Sequence, residues 1–202
     1  VRLVLEARVE MPRVYMAWLS PAMFDEGDAE LDLLGDLLAN GKTSRLYRTL
    51  VYERRVALDV SAYQSSQELA GFFLLVATAA PGGSLTDIAA IIDRELQGLI
   101  EEGPLESEME RARAQVEAHF MYRLQTVGGF GGKSDQLNAY NVLLGDPGFF
   151  PADLSRYREA TMAGVRDATA RVLGFDRRVI LSVVPRGQRE LALSGSRPVS
   201  VS

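Results

Sequence analysis

The side chains that could do chemistry in this chain are few, and they exclude more than they permit. Cysteine is absent and histidine occurs once, at His119 in Val116-Glu117-Ala118-His119-Phe120. A catalytic zinc takes about three protein ligands, and its helical signatures, HExxH and HxxEH, each need two histidines. Neither motif occurs, so no catalytic zinc site is expected here. Thiol chemistry and disulfides are excluded with the cysteines. Serine hydrolysis fares no better: there is no GxSxG, and His119 would be the lone imidazole base. His119 stands beside the apolar stripe of a predicted helix, which points to a structural or surface role. The neighbouring carboxylates Glu101-Glu102 and Glu106 with Glu108 fall near helix ends, where solvated charge is the ordinary use. Gly41-Lys42-Thr43 invites a phosphate reading. A phosphate-binding loop, however, needs glycines ahead of the lysine so that backbone amides converge, and Leu38-Ala39-Asn40 stands there instead.

One pair has a useful spacing. Lys133 and Tyr140 are about two helical turns apart, so both side chains can emerge from one face. On residue type alone they read as a solvated lysine near a helix start and a half-buried core tyrosine. Just before them, Gly128-Gly129-Phe130-Gly131-Gly132 permits steep backbone turns and close approach by another chain. Composition leaves a plain connector and a functional loop equally open.

The elements that would hold these residues follow from periodicity. Alternation over 3–9, an apolar run over 14–19, and the runs 56–63, 71–79 and 178–184 predict strands. Polar Gln64 to Glu68 between the middle two suggests an antiparallel pair. Apolar residues at helical spacing predict helices over 29–38, from Lys42 to about Val51, then 85–100, 106–124, 133–144 and 161–173, with a short turn or helix over 151–157. Trp18 and Tyr15 are expected to be structural aromatics. The order, with helices gathered between strands and no regular βαβ series, favours an α+β fold: a two-layer sandwich, its sheet antiparallel or mixed, with helices on one face. We divide the chain into a linking segment or edge strand over 1–12, a domain over 13–186 and a flexible tail over 187–202.

Composition bounds the rest. Of the 202 residues, 47% are apolar and 24% charged, which suits a folded domain, and the formal net charge is −5. The basic pairs Arg54-Arg55 and Arg177-Arg178 are isolated, so no nucleic-acid partner is expected. No run is long and apolar enough for a transmembrane segment. The chain opens at Val1-Arg2 with no initiator Met or leader pattern, and we read it as a piece of something longer. Its compartment is therefore unknown, with bacterial cytoplasm and periplasm both compatible.

Several stretches, taken in order, carry a resemblance. They are Val14-Tyr15-Met16-Ala17-Trp18 followed by Pro21, Leu33-Leu34-Gly35-Asp36-Leu37-Leu38, and Ser44-Arg45-Leu46-Tyr47-Arg48-Thr49-Leu50. Gly71-Phe72-Phe73, the Pro81 turn, Glu106 to Ala114, and Gly132-Lys133 to Tyr140 followed by Gly145-Asp146-Pro147 complete the series. Together they resemble the C-terminal domain of the pitrilysin family of inverted HxxEH zinc peptidases, which includes insulin-degrading enzyme and the mitochondrial processing peptidases. The resemblance implies a LuxS/metallohydrolase-like fold and a role as the substrate-binding half of a zinc metalloendopeptidase. Zinc would sit in a partner N-terminal domain or subunit, and the cleft between the halves would close over a peptide or unfolded protein substrate. Self-association is a further possible arrangement of such domains. An inactive relative, serving as a structural or binding module, is the alternative. The family carries an arginine and a tyrosine at the spacing of Lys133 and Tyr140. The resemblance thus implies substrate binding by both and oxyanion stabilisation by Tyr140, with lysine a departure from arginine. Gly131 and Gly132 would let substrate pass close to the backbone.

Overall fold

The computed structural model describes residues 1–199. Six strands form one sheet: β1 (Arg2–Ala7), β2 (Arg13–Ser20), β3 (Ala57–Ser65), β4 (Gly71–Ala79), β5 (Arg178–Pro185) and β6 (Arg197–Pro198). Their spatial order is β3-β4-β2-β5-β1-β6. Pairing is antiparallel through β3, β4, β2 and β5, and parallel where β1 meets β5 and β6. Six α-helices accompany them: α1 (Asp28–Ala39), α2 (Leu85–Glu101), α3 (Glu106–Arg123), α4 (Lys133–Leu144), α5 (Phe150–Glu159) and α6 (Met162–Val172). The result is the expected two-layer α+β sandwich, a mixed sheet with helices packed on one face.

Alternation along each strand explains the layering. Val14, Met16 and Trp18 of β2, Phe73, Leu75 and Ala77 of β4, and Ile180 and Val184 of β5 turn to the helices and are buried. Leu31, Leu33, Leu34, Leu37 and Leu38 of α1 and Ile88, Ile92, Leu96 and Leu99 of α2 close over them. On the other face Tyr15, Leu74, Val76, Leu181 and Val183 are half-buried. Trp18 is structural, as expected: its indole donates to the Gly174 carbonyl at 3.0 Å and its ring meets Phe73 edge-on. Arg178 lies among the apolar side chains of the same layer, where it is held by Asp93 and by the rings of Trp18 and Phe175.

Two local features depart from periodicity. The helix expected from Lys42 becomes a π-helical segment over Tyr47–Glu53, with the Arg54 amide donating five residues back to the Thr49 carbonyl at 3.0 Å. Leu46 and Leu50 are still buried. Part of the segment expected to form a tail packs instead. Leu193 is buried, its amide donates to Ser182 at 3.2 Å, and β6 pairs with β1 through Leu3 and Val4. Unpaired strand edges attract partners, and β6 covers part of this one. The last three residues of that expected tail lie outside the described residues. β1, read as a linking segment or edge strand, runs between β5 and β6.

Candidate functional site

Helix α1 carries the first wall of a cleft. Its buried face is leucine, but Asp28, Asp32 and Asp36 recur every fourth residue and form a polar stripe beside that face. Opposite stand Ala62, Tyr63 and Gln64 of the edge strand β3. Gly35 lets the two elements approach closely, since a Cβ there would lie 3.0 Å from the Ala62 carbonyl oxygen. Gln115, His119 and Arg123 of α3, Gln136 and Tyr140 of α4, and Asp153 and Tyr157 of α5 complete a cleft of about 570 Å³.

A continuous hydrogen-bond chain ties these elements together. The Gln136 amide donates to the Tyr140 hydroxyl at 2.8 Å, and that hydroxyl donates to Asp153 at 2.7 Å. Arg156 donates to Asp153 at 2.9 Å and to Asp28 at 2.7 Å. Asp28 also accepts from the Phe24 amide at 2.9 Å and from Gln64 at 2.7 Å. Four elements, α4, α5, α1 and β3, are thus joined through one arginine with two carboxylate partners, where charge-assisted bonds are strongest. Phe24 supports the chain: its ring lies under the Arg156 guanidinium at 5.3 Å and meets Tyr140 and Phe149.

Asp32 stands apart from this chain. It accepts from the Tyr157 hydroxyl at 2.7 Å. Burial pushes its carboxyl up to about 7, partly opposed by the Tyr157 bond and reinforced by the charge of Asp28. Burial likewise raises Asp36, against a hydrogen bond from Asn40. Asp153 is also raised by burial, in spite of the bonds from Tyr140 and Arg156. The Tyr140 hydroxyl is pushed well up, first by burial and then by the carboxylate of Asp153, so it stays protonated and acts as a donor. Among the described residues, no group of three or more His, Asp or Glu side chains is placed to hold a metal ion.

A model of the peptidase M16 inactive domain matches residues 1–116, more than half of the sequence. The chain belongs to that family. The M16 inactive domain seen here superimposes on a protease from Helicobacter pylori with a TM-score of 0.80 at 19% identity, covering 91% of this chain and 44% of that one. It superimposes on an inactive peptidase domain from Bordetella parapertussis with a TM-score of 0.75 at 24% identity, covering 90% and 94%. A chain of complex III2 from Candida albicans matches with a TM-score of 0.74 at 16% identity, covering 91% and 45%. At these identities the likeness is one of fold. The domain spans less than half the length of the Helicobacter pylori protease. No curated protein sequence matches it.

Of the residues singled out from sequence, Tyr140 lies in the cleft wall of this M16 domain, 2% exposed. Lys133, the first residue of α4, is exposed and does not line the cleft. The helical spacing holds, but α4 buries only Gln136 and Tyr140. Gly131 adopts φ +77°, its amide donating to Asp135 at 2.8 Å and its carbonyl accepting from Arg123 at 3.0 Å. Gly132 is buried against Gly128, whose carbonyl oxygen would lie 2.8 Å from a Cβ. His119 is exposed on the cleft rim. The aspartate stripe of α1 is a sequence signal that motif reading passes over, because carboxylates without histidine match no metal signature. Asp153, Arg156 and Tyr157 leave no comparable trace.

Proposed function

We propose that this M16 inactive domain is the C-terminal, substrate-binding half of a zinc metalloendopeptidase, whose zinc site is carried by an N-terminal domain or partner subunit. Membership of the family carries this reading, and the 44% share of the Helicobacter pylori protease that the domain spans supports it. The cleft then faces the zinc-bearing half, and an unfolded polypeptide lies between the two. Tyr140 hydrogen bonds the substrate carbonyl and the developing oxyanion, while Lys133 contributes positive charge from the first turn of α4. The Gly131-Gly132 backbone passes beside the chain being held. Because the Tyr140 hydroxyl donates to Asp153 here, it has to turn away from that carboxylate to reach substrate.

The test is reconstitution. The N-terminal half, supplied in the same chain or as a subunit, should give chelator-sensitive cleavage of unfolded peptides, and this domain alone should give none. Tyr140→Phe in the active assembly should keep zinc and lower kcat/KM, by up to about 10²–10³-fold if a whole oxyanion donor is lost. Lys133→Ala should raise KM, and Lys133→Arg should restore it. Unchanged kcat/KM in Tyr140→Phe would return that residue to a structural role.

One observation favours a second reading, a structural module of an inactive relative. The fold is shared with a chain of complex III2, and both hydrogen-bonding capacities of Tyr140 are met inside the protein. A reconstituted assembly that binds no zinc would select it.

A further inference from the structure

We infer that the cleft recognises a cationic nitrogen group, an alkylammonium or guanidinium on a polypeptide side chain, through the Gln136 carbonyl oxygen and the carboxylates of Asp32 and Asp36. The polypeptide part of this inference rests on the function proposed above.

The observation behind it is a cluster of orphaned acceptors. Buried side-chain polar atoms without a hydrogen-bond partner among the described residues include three glutamine carbonyl oxygens, those of Gln64, Gln115 and Gln136. All three glutamines line this one cleft. Gln136 is only 4% exposed. Two of the three amide orientations are fixed by their partners. Asp28 is acceptor-only when ionised, so the group reaching it from Gln64 is the NH₂. Tyr140 gives its proton to Asp153, so its oxygen must accept the NH₂ of Gln136. In both cases the carbonyl oxygen is the atom left over. The carboxylates add to this. Asp32 receives the Tyr157 hydroxyl on one oxygen and Asp36 receives Asn40 on one oxygen, and no described residue donates to the other oxygen of either.

A lining of free acceptors selects its ligand. It repels carboxylates and phosphates and offers a neutral group less than it offers a cation, because N⁺–H donors form the stronger bonds to carboxylates. Among the described residues, no group of three His, Asp or Glu side chains is placed to hold a metal ion. A guanidinium or ammonium has several donors for several acceptors. Of the cations already present, Arg156 is committed, Arg123 is bonded through Nε alone, and Arg111 keeps one buried Nη2 without a partner among the described residues. Arg156 bridges Asp28 and Asp153, Arg123 donates to the Gly131 carbonyl, and Arg111 and His119 approach Asp36 from α3.

The site is also proton-linked. Asp32 is faced by Asp28 and Asp36 on its own helix, by Asp153, Arg156 and Tyr157 of α5, by His119 and Arg123 of α3, by Asp135 and Tyr140 of α4, and by Tyr63 of β3. With its carboxyl raised to about 7, Asp32 is mostly neutral at pH 6 and mostly ionised at pH 8. A bound cation favours the ionised form, so affinity rises with pH across this interval.

Fluorescence anisotropy on the full chain tests the inference, with an end-capped alanine peptide carrying one central arginine and the same peptide carrying citrulline, its neutral isostere. The arginine peptide should bind about tenfold or more tightly at pH 8, the scale of one hydrogen bond to a charged group. The gap should narrow at pH 6. Asp32→Asn should close it at pH 8, with folding checked by circular dichroism, and Asp36→Asn should reduce it. Equal affinities for the two peptides at pH 8 would overturn the charge selection while leaving polypeptide binding intact. Binding of neither peptide would overturn the whole inference, whatever the reconstituted assembly does to unfolded substrates. Methylguanidinium matching the arginine peptide in affinity would overturn its polypeptide part alone.

Discussion

Helices α2 and α4 are fastened to the same domain by opposite means. α2 buries Leu85, Ile88, Ala89, Ile92, Leu96 and Leu99, and its start is capped by Ser84, whose hydroxyl accepts from the Thr86 and Asp87 amides. α4 buries two residues, Gln136 and Tyr140, both hydrogen-bonding and both engaged in the chain that runs on through Asp153 and Arg156. Its apolar residues Leu137, Val142 and Leu144 face outward, as does Phe130 in the glycine loop before it. Apolar packing is nondirectional and adds up over area, whereas a hydrogen-bonded latch holds one geometry and releases as a unit. The scaffold is therefore set by the first kind of contact, and the cleft wall by the second.

The sharpest way to break the contrast is to truncate one apolar residue on each helix. Ile92→Ala should cost about 2–5 kcal/mol of global stability, as for other buried large-to-small changes. Leu137→Ala, half-exposed on α4, should stay within about 0.5 kcal/mol. Urea unfolding of the two variants measures both, and equal losses would show that α4 is packed like α2.

The next effect is local. Tyr140→Phe removes the hydroxyl between Gln136 and Asp153, leaving a buried donor and a buried carboxylate oxygen without that partner. Such a loss costs about 1–3 kcal/mol. Amide exchange should speed up in α4 and the Asp153 turn of α5, and stay unchanged in α2 and β2. Uniform acceleration across the domain would mean that the latch is part of the scaffold.

The effect most confined in its conditions is on pH dependence. The folded-state carboxyl of Asp32 lies near 7, well above its unfolded value, so the folded state binds the extra proton. This group's contribution to stability is therefore full below the unfolded value and lost as pH rises through about 7. Asp32→Asn keeps an acceptor for Tyr157 without the charge. It should raise Tm at pH 8, by about 2–4 °C for each kcal/mol regained, and change it little at pH 5. A larger gain at pH 5 than at pH 8 would reverse the assignment.

The two helices also differ in how far they could be read from sequence. α2 shows its apolar face at helical spacing and is bounded by Pro81-Gly82-Gly83 and Gly103-Pro104, so its limits were legible to within a residue. The same holds for β2, β4 and β5, where alternation or an unbroken apolar run marks the strand. The bounds of α4, Lys133–Leu144, are legible in the sequence, but its periodicity does not reveal what holds it. Tyr140 could be singled out; its partner Asp153 could not. Arg156 and Asp28 are 128 residues apart, and no local pattern links them. β6 was missed because a two-residue strand has no period. Leu46 and Leu50 keep α-like spacing, so nothing in the sequence distinguishes the π-helical segment from an ordinary helix.

The strand order has a consequence for how the domain can be built during synthesis. β2 is central, yet one of its two neighbours is β5, from residues 178–185, and β1 pairs only with β5 and β6. A nascent chain that has emerged only as far as α6 can assemble β2, β3 and β4 with α1 and α2, but one flank of β2 stays open and β1 has nowhere to dock. Those open edges are sticky for as long as the remaining stretch takes to appear. The closing strands must thread in last, so a translational pause or a chaperone would matter most in the interval between α6 and β5.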